Sequence, residues 1–320
     1  MPASNARDPL DGALLDRLGR RARGRAADPG LLAADLRLLR DAGYLKIAVP
    51  VAFGGTGLTL PQVACAQRRL AYHAPAAALA VNAHHSWVGA AADAHASGDS
   101  AADWLLREAA QGRLFAGPGG AARDLLRPAP RTGPDNGADG RLPEREMADA
   151  ASPGWDWLGV QAWDDSEPTR PKVLHAFIRR SDPGCRLARI TPPGPPGDPF
   201  IAGVFGWGLP LDGELCYAIA RRAFDLATER AVRRLAAGPG ADSPASGQGG
   251  PPGQWSLADA ALRLESVRDQ LDVVLHGWRE RARAGGAVRS LDPGGQWLIR
   301  LFTVRHVAAT GALRVTELSA

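Results

Sequence analysis

Apolar positions recur every three or four residues towards both ends of the chain and give way to short bounded runs in the middle. From Asp11 to about Leu114 the pattern is helical. Leu31, Leu32, Leu36, Leu38 and Leu39 share helical spacing, and the run stops at Gly43, a residue suited to a helix C-terminus. The segment YLKIAVPVAFGGTGLTL follows, where Pro50, Gly54, Gly55 and Gly57 break the helix and permit positive φ. Thr59 followed by Pro61 predicts an N-cap and a new helix to about His73. Two further helices are expected, an alanine-rich one from Pro75 to about Ala96 and one around Trp104 to Gln111.

Between about Phe115 and Pro199 the strand candidates are Trp157 to Trp163 and Lys172 to Arg179, each bounded by turn residues. Helical spacing then returns. Tyr217, Ala220, Phe224, Ala227, Ala231 and Leu235 fall on one face, and Leu264, Val267, Leu271, Val274 and Trp278 on another. Residues 238–253, GPGADSPASGQGGPPG, read as a flexible loop between them, and a last helix runs from about Gln296. The expected fold is mainly α with a small central β domain: a helical domain over 1–114, a β domain over 115–199 and a helical bundle over 200–320.

Composition narrows the function classes. The 320 residues are 45% hydrophobic and 22% charged, and no apolar stretch approaches the ~20 residues of a membrane span. A membrane role is therefore not expected. The three cysteines, Cys65, Cys185 and Cys216, are too scattered for a disulfide framework or a thiolate zinc site, which suits a reducing, cytoplasmic compartment. The N-terminus is charged throughout and is not a secretory signal. Net charge is +4, but lysine occurs only at Lys46 and Lys172, so 36 of the 38 basic residues are arginine. Together with the abundant Ala, Gly and Pro this reads as coding bias. The densest basic run, Arg17 to Arg25, carries no interleaved aromatics, so no nucleic-acid partner is expected.

Common catalytic motifs are missing. The chain has neither a phosphate-binding loop nor a strand-coupled dinucleotide fingerprint, and the glycine runs at 54–57 and 117–120 read as turns. His73, His84 and His95 are eleven residues apart, so on one helix successive members would lie ~16 Å apart and could not share a metal. His84 and His85 point to different sides of a helix and read as structural histidines. No G-x-S-x-G elbow or Cys/His nucleophile pair stands out.

Several strings together resemble the acyl-CoA dehydrogenase family over nearly the whole chain. They are LRDAGYLKIAVPVAFGGTGLTL (39–60), RRLAYHAPAAALAVNAHHSWVGAAA (68–92), WLLREAAQGRLFAG (104–117), WDWLGVQAWDDSEPTRPKVLHAFIRRSDPGCRL (155–187), DPFIAGVFGWGLPLDGELCYAIARRAFDLATERAVRR (198–234) and LADAALRLESVRDQLDVVLHGW (257–278). The resemblance implies FAD between the β domain and the bundle, with an acyl-CoA or other acyl thioester against it. It also implies α,β-dehydrogenation, in which a carboxylate takes an α-proton and a hydride passes to the flavin. Asp124, Trp155, Arg234 and Gln254 match cofactor-contact positions of the family, Arg234 standing where an arginine reaches the diphosphate. Glu214, in LDGEL, resembles one of the family's two positions for the catalytic base. The alternative is a solvent-facing glutamate near a helix N-terminus, favoured by the dipole. A homo-oligomer, or a hetero-oligomer with a complete paralogue, is implied as well.

The chain departs from the pattern at identifiable places. Glu146 and Ala148 stand where a lysine and an aromatic residue are expected, and the Gly-Met-Arg segment after Cys185, with the strand following it, is replaced by RITPPGPPG. The phenylalanine-glycine after the bundle arginine is replaced by the 238–253 loop, and the chain ends at RVTELSA. Two functional expectations follow: a shortened flavoprotein oxidoreductase, or a pseudoenzyme or scaffold subunit that keeps the helical fold and pairs with a complete paralogue. A shortened gene product with an incomplete bundle is a third expectation, since Leu313, Val315 and Leu318 would need cover.

Overall fold

The computed structural model describes residues 9–22, 29–117, 131–132, 154–164, 172–191, 199–237, 251–283 and 296–319. Among these, helices surround a small sheet. Helices α1 (Gly12–Ala22), α2 (Pro29–Asp41), α3 (Leu60–His73), α4 (Pro75–Ala96) and α5 (Asp103–Ala110) come first. Strands β1 (Phe115–Ala116), β2 (Arg131–Thr132), β3 (Trp157–Asp164), β4 (Lys172–Arg179) and β5 (Asp182–Thr191) follow. Three long helices, α6 (Pro199–Ala237), α7 (Pro251–Arg283) and α8 (Gln296–Ser319), complete the order. No helix among the described residues is long and apolar enough to cross a membrane.

The glycine-rich turn after α2 is tightly folded back on itself. Leu58 N–H donates to Ile47 O at 2.7 Å and Gly57 N–H to Val49 O at 2.8 Å, with φ of +88° at Gly54 and +69° at Gly57. A Cβ at Gly55 would stand 2.1 Å from Val49 O, so no side chain fits there. Thr59 then opens α3, its N–H and its hydroxyl each donating to Gln62 Oε1 at 2.9 Å.

The sheet order is β1-β3-β4-β5, with β2 also paired to β3. Strands β3 and β4 pair antiparallel from Trp157↔Arg179 to Asp164↔Lys172, and β4 and β5 form an antiparallel hairpin across Arg180 and Ser181. The third long strand is an addition to the two that the sequence pattern marked. Pro183, Gly184 and two arginines interrupt its apolar content, and pairing with β4 holds it in place. Alternation gives the sheet two faces. Phe115, Trp157 and Phe177 enter the main core, while Ala116, Leu158, Ala176 and Ile178 form a smaller cluster with Trp155.

On the main face, Trp104 stands edge-on to Trp157 and Phe177 at 5.2 and 5.3 Å, and Trp87 to Phe177 at 4.9 Å. Trp87 also stacks on Phe200 at 6.3 Å, which joins the sheet to the start of α6. Asp156 fixes the sheet's edge. Its Oδ2 accepts from Arg40 Nη2 at 2.9 Å and from Leu114 N–H at 2.8 Å, and its Oδ1 from Arg113 Nη1 at 3.2 Å.

The helical spacing of the second half places a helix from Tyr217 onward, but α6 begins eighteen residues earlier, at Pro199. Every residue from Phe200 to Leu215 is buried, so this half of α6 is enclosed on all sides and has no polar face to reveal a period. Its glycines let neighbours come close. A Cβ at Gly203 would meet Ala90 at 3.3 Å, and one at Gly208 would meet Ser86 Oγ at 3.3 Å. Across the same crossing, the Trp207 ring lies over Gly89 of α4. Helix α7 begins at Pro251, so 251–253 of the expected loop are helical, and 238–250 lie outside the described residues.

Candidate functional site

Glu214 is the one sequence-selected candidate whose surroundings show a built polar site. It lies in the middle of α6, fully buried. The solvent-facing, helix-start alternative is therefore corrected: α6 starts fifteen residues before Glu214 and its first half is enclosed. Arg68 of α3 approaches one oxygen, Nη1 to Oε2 at 3.4 Å, and Arg268 of α7 approaches the other, Nη1 to Oε1 at 3.7 Å. Neither Glu214 Oε1 nor Arg268 Nη1 has a hydrogen-bond partner among the described residues, although both are buried. Burial pushes the Glu214 carboxyl up to about 7; Arg68 opposes the shift and Asp272 adds to it.

Each arginine is held from a second side. Arg68 Nη2 donates to Cys65 Sγ at 3.8 Å, and Arg268 Nη2 pairs with Asp272 Oδ1 while its guanidinium lies 5.9 Å from the Tyr217 ring centroid. Both arginines keep about a quarter of their side chains exposed, 26% and 25%. The cluster thus runs from a fully buried carboxylate to the surface between α3 and α7.

Two residues back along α6, Asp212 closes a buried chain of hydrogen bonds. Tyr44 Oη donates to Gln67 Oε1 at 2.8 Å, Gln67 Nε2 to Asn82 Oδ1 at 2.8 Å, and Asn82 Nδ2 to Asp212 Oδ1 at 2.6 Å. Arg305 of α8 lies 4.0 Å from the other Asp212 oxygen. The hydrogen bonds tie the turn, α3, α4 and α6 together through directional bonds, which hydrophobic packing alone does not supply. Beside Asp212, burial raises the Cys216 thiol to about 11, so it stays protonated and inert near neutrality.

The adjacent histidines differ. His84 is satisfied at both ring nitrogens: Phe115 N–H donates to Nδ1 at 3.2 Å, which leaves the proton on Nε2 to be donated to Leu45 O at 2.7 Å. Burial lowers it to about 4. That is the structural histidine the sequence suggested. His85 is equally buried, stands edge-on to Tyr44 at 5.0 Å, and has no hydrogen-bond partner at either nitrogen among the described residues.

The four residues matched to cofactor contacts are not seen together. Asp124 lies outside the described residues, as do Glu146 and Ala148, and the side chains of Arg234 on α6 and Gln254 on α7 are likewise outside them. Trp155 is 5% exposed, packed with Ala116, Leu158, Ala176 and Ile178, and covered by the Arg180 guanidinium 5.2 Å from its ring centroid. Its ring is thus engaged by protein on the described sides. A separate cleft lined by Asp93, Ser97, Asp99 and Phe200 has a free volume of about 10 Å³, room for one water molecule.

Arg68 and Arg268 were missed by the sequence reading. The available signal was a charge bordering an apolar stripe: Arg268 sits between Val267 and Leu271, and Arg68 between Ala64 and Leu70. A charge so placed needs a partner on a facing helix.

No protein-family model and no curated protein sequence matches the chain. Solved structures do match its fold. A nitrososynthase from Micromonospora carbonacea var. africana is 18% identical with a TM-score of 0.65, over 99% of this chain and 87% of its own. TdsC from Paenibacillus sp. A11-2, in complex with FMN and indole, is 17% identical with a TM-score of 0.58, over 96% and 86%. The methanesulfinate monooxygenase MsuC from Pseudomonas fluorescens is 16% identical with a TM-score of 0.57, over 97% and 87%. These structures share the acyl-CoA dehydrogenase fold, and this chain, with its helical domain, small sheet and long-helix bundle, has that fold too.

Proposed function

We propose that this chain is a flavin-dependent oxidoreductase with Glu214 as its proton-accepting carboxylate. Glu214 carries the reading: it is a fully buried carboxyl raised to about 7, with Oε1 free of any hydrogen bond among the described residues. Near neutrality such a group exists in both protonation states, which is what a general base requires. The likeness to TdsC in complex with FMN, over 96% of this chain, supports a flavin as the redox partner. When bound, the flavin supplies a two-electron acceptor. The substrate class is an acyl thioester and the flavin FAD, both implied by the sequence resemblance. Assembly with a second copy or a longer paralogue, in the cytoplasm, belongs to the same proposal.

On the protein's side, the proton taken from the substrate goes to Glu214 Oε1. The Arg68 and Arg268 guanidiniums flank the carboxylate, one at each oxygen. A second reading, a scaffold that keeps the fold without the cofactor, draws on Trp155, whose ring is already engaged by Arg180 and four apolar side chains.

One experiment separates the two. Incubation with excess FAD, and in parallel FMN, followed by removal of unbound flavin, gives a visible spectrum. Near-stoichiometric yellow protein supports the oxidoreductase, and a colourless folded protein supports the scaffold. On the flavin-loaded protein, acyl-CoA is expected to bleach the flavin band under anaerobic conditions. Glu214→Gln is expected to keep the flavin and slow bleaching by about 10²-fold or more. Undiminished bleaching in that variant would remove Glu214 from the chemistry.

A further inference from the structure

The Glu214 cluster holds two cations against one buried anion, and neither contact is close. Charge-assisted N–H···O pairs settle near 2.7–2.9 Å, whereas Arg68 and Arg268 stand at 3.4 and 3.7 Å from the two Glu214 oxygens. Arg268 Nη1 is buried without an acceptor. Asp272, which pairs with Arg268 Nη2, is half exposed and occupies the outer side of the guanidinium. Both arginines reach one carboxylate, so both can reach another of the same size, and both are open to solvent along about a quarter of their side chains.

We propose that Arg68 of α3 and Arg268 of α7 form a binding site for a small oxyanion, such as a sulfonate, sulfinate or carboxylate group, which takes the place that the Glu214 carboxylate now fills. Planar guanidiniums fit this class of ligand through paired N–H donors. The surrounding groups set the conditions for exchange. From α3, Arg68 and Cys65 face the cluster; from α7, Arg268 and Asp272; and along α6 itself, Tyr217. From α8, Arg305 is directed to Asp212, and from α4 Asn82 bonds to Asp212, so neither is available to Glu214. When Glu214 takes up a proton, the two guanidiniums retain their charge and lose their inner partner. Oxyanion binding and proton uptake at Glu214 are therefore linked, and each favours the other.

The inference goes beyond the flavin reading and does not depend on it, because binding is read on the colourless protein. Sulfate is the probe, since its charge is constant over the pH range used. Calorimetric titration of the full chain with sodium sulfate, at ionic strength matched with sodium chloride, is expected to show one saturable site. With a linked group titrating at about 7, the site should be about tenfold weaker at pH 8 than at pH 6. Glu214→Gln is expected to bind sulfate with no pH dependence, at least as tightly as the wild-type chain at pH 6. Arg268→Gln should lose the site, and Arg268→Lys, which keeps the charge but not the fork, should weaken it about tenfold. Circular dichroism confirms that each variant folds. Three results would each overturn the proposal: no saturation beyond the chloride control, binding retained in folded Arg268→Gln, or an unchanged pH dependence in Glu214→Gln.

Discussion

His84 shows how a single buried side chain makes stability depend on pH. Its two nitrogens serve Phe115 N–H and Leu45 O, an arrangement that only the neutral ring can satisfy, because protonated Nδ1 cannot accept. Its pKa is about 4 in the fold, against about 6.5 when the chain is unfolded. Between these values the unfolded chain binds the proton and the folded one does not, so stability is complete above about pH 6.5 and is lost as the pH falls towards 4. The loss should approach about 3 kcal/mol by pH 4. Urea midpoints of wild type and His84→Gln between pH 7 and 4.5 check this. The glutamine, which keeps one donor and one acceptor but no titration, should flatten the acid slope, and an unaltered slope would assign the acid sensitivity elsewhere. At this scale the sequence was partly legible. LDGEL drew attention to Glu214, and the adjacency of His84 and His85 suggested a structural role. The partners were not, because Arg68, Arg268 and Phe115 lie 146, 54 and, for His84, 31 residues away along the chain. The local pattern can mark a charge beside an apolar stripe, but across that separation it does not name the partner.

Elements were legible where one side faces solvent. Helix α4 spans Pro75–Ala96 as the pattern places it, and α3, α5, β3, β4 and the start of α8 fall within a residue or two of theirs. The first half of α6 is the counterexample, since burial on every side erases the alternation that periodicity reads, and Pro210 with four glycines argues locally against a helix. Packing against α4 outweighs those preferences. Gly89 is the sharpest contact in that crossing, with its absent Cβ position 2.1 Å from Trp207 Cδ2. An indole fixed by its Nε1–H bond to Asp93 Oδ2 at 2.7 Å cannot swing aside cheaply. Gly89→Ala gains about 1 kcal/mol of helix propensity, yet overpacking a filled core costs about 1–3 kcal/mol. The collision is with a ring held on both sides, so the cost should sit at the upper end. The net expectation is a Tm lowered by several degrees in a thermal melt, and a raised Tm would show that the crossing is looser than its geometry.

Across the whole molecule, one apolar cluster runs from Leu10 through the N-terminal helices, Phe115, Trp157 and Phe177 to Ala308 of α8. The changes of texture near residues 115 and 199 therefore mark changes of secondary structure, while the packing passes through both. Among the described residues, five form the sheet's second cluster, whereas Trp157 and Phe177 are buried against α4 and α5. What orients it is Asp156, which binds Arg40 of α2, Arg113 and the Leu114 amide at once. Removing that carboxylate takes an acceptor from a half-buried backbone N–H and from two guanidiniums, those of Arg40 and Arg113. Asp156→Ala should therefore cost about 2 kcal/mol, the usual scale for hydrogen bonds to a charged group. The form of the loss is as informative as its size. Far-UV circular dichroism reports the helices, and tryptophan fluorescence sums nine tryptophans, among them Trp87, Trp104 and Trp157, which pack at the sheet's main face. If sheet and helices are one cooperative unit, both signals move together to lower denaturant in Asp156→Ala, as two-state unfolding requires. Fluorescence that shifts ahead of the helical signal would mean that the sheet detaches first and that the aromatic contacts to α4 and α5 do not hold it without the carboxylate.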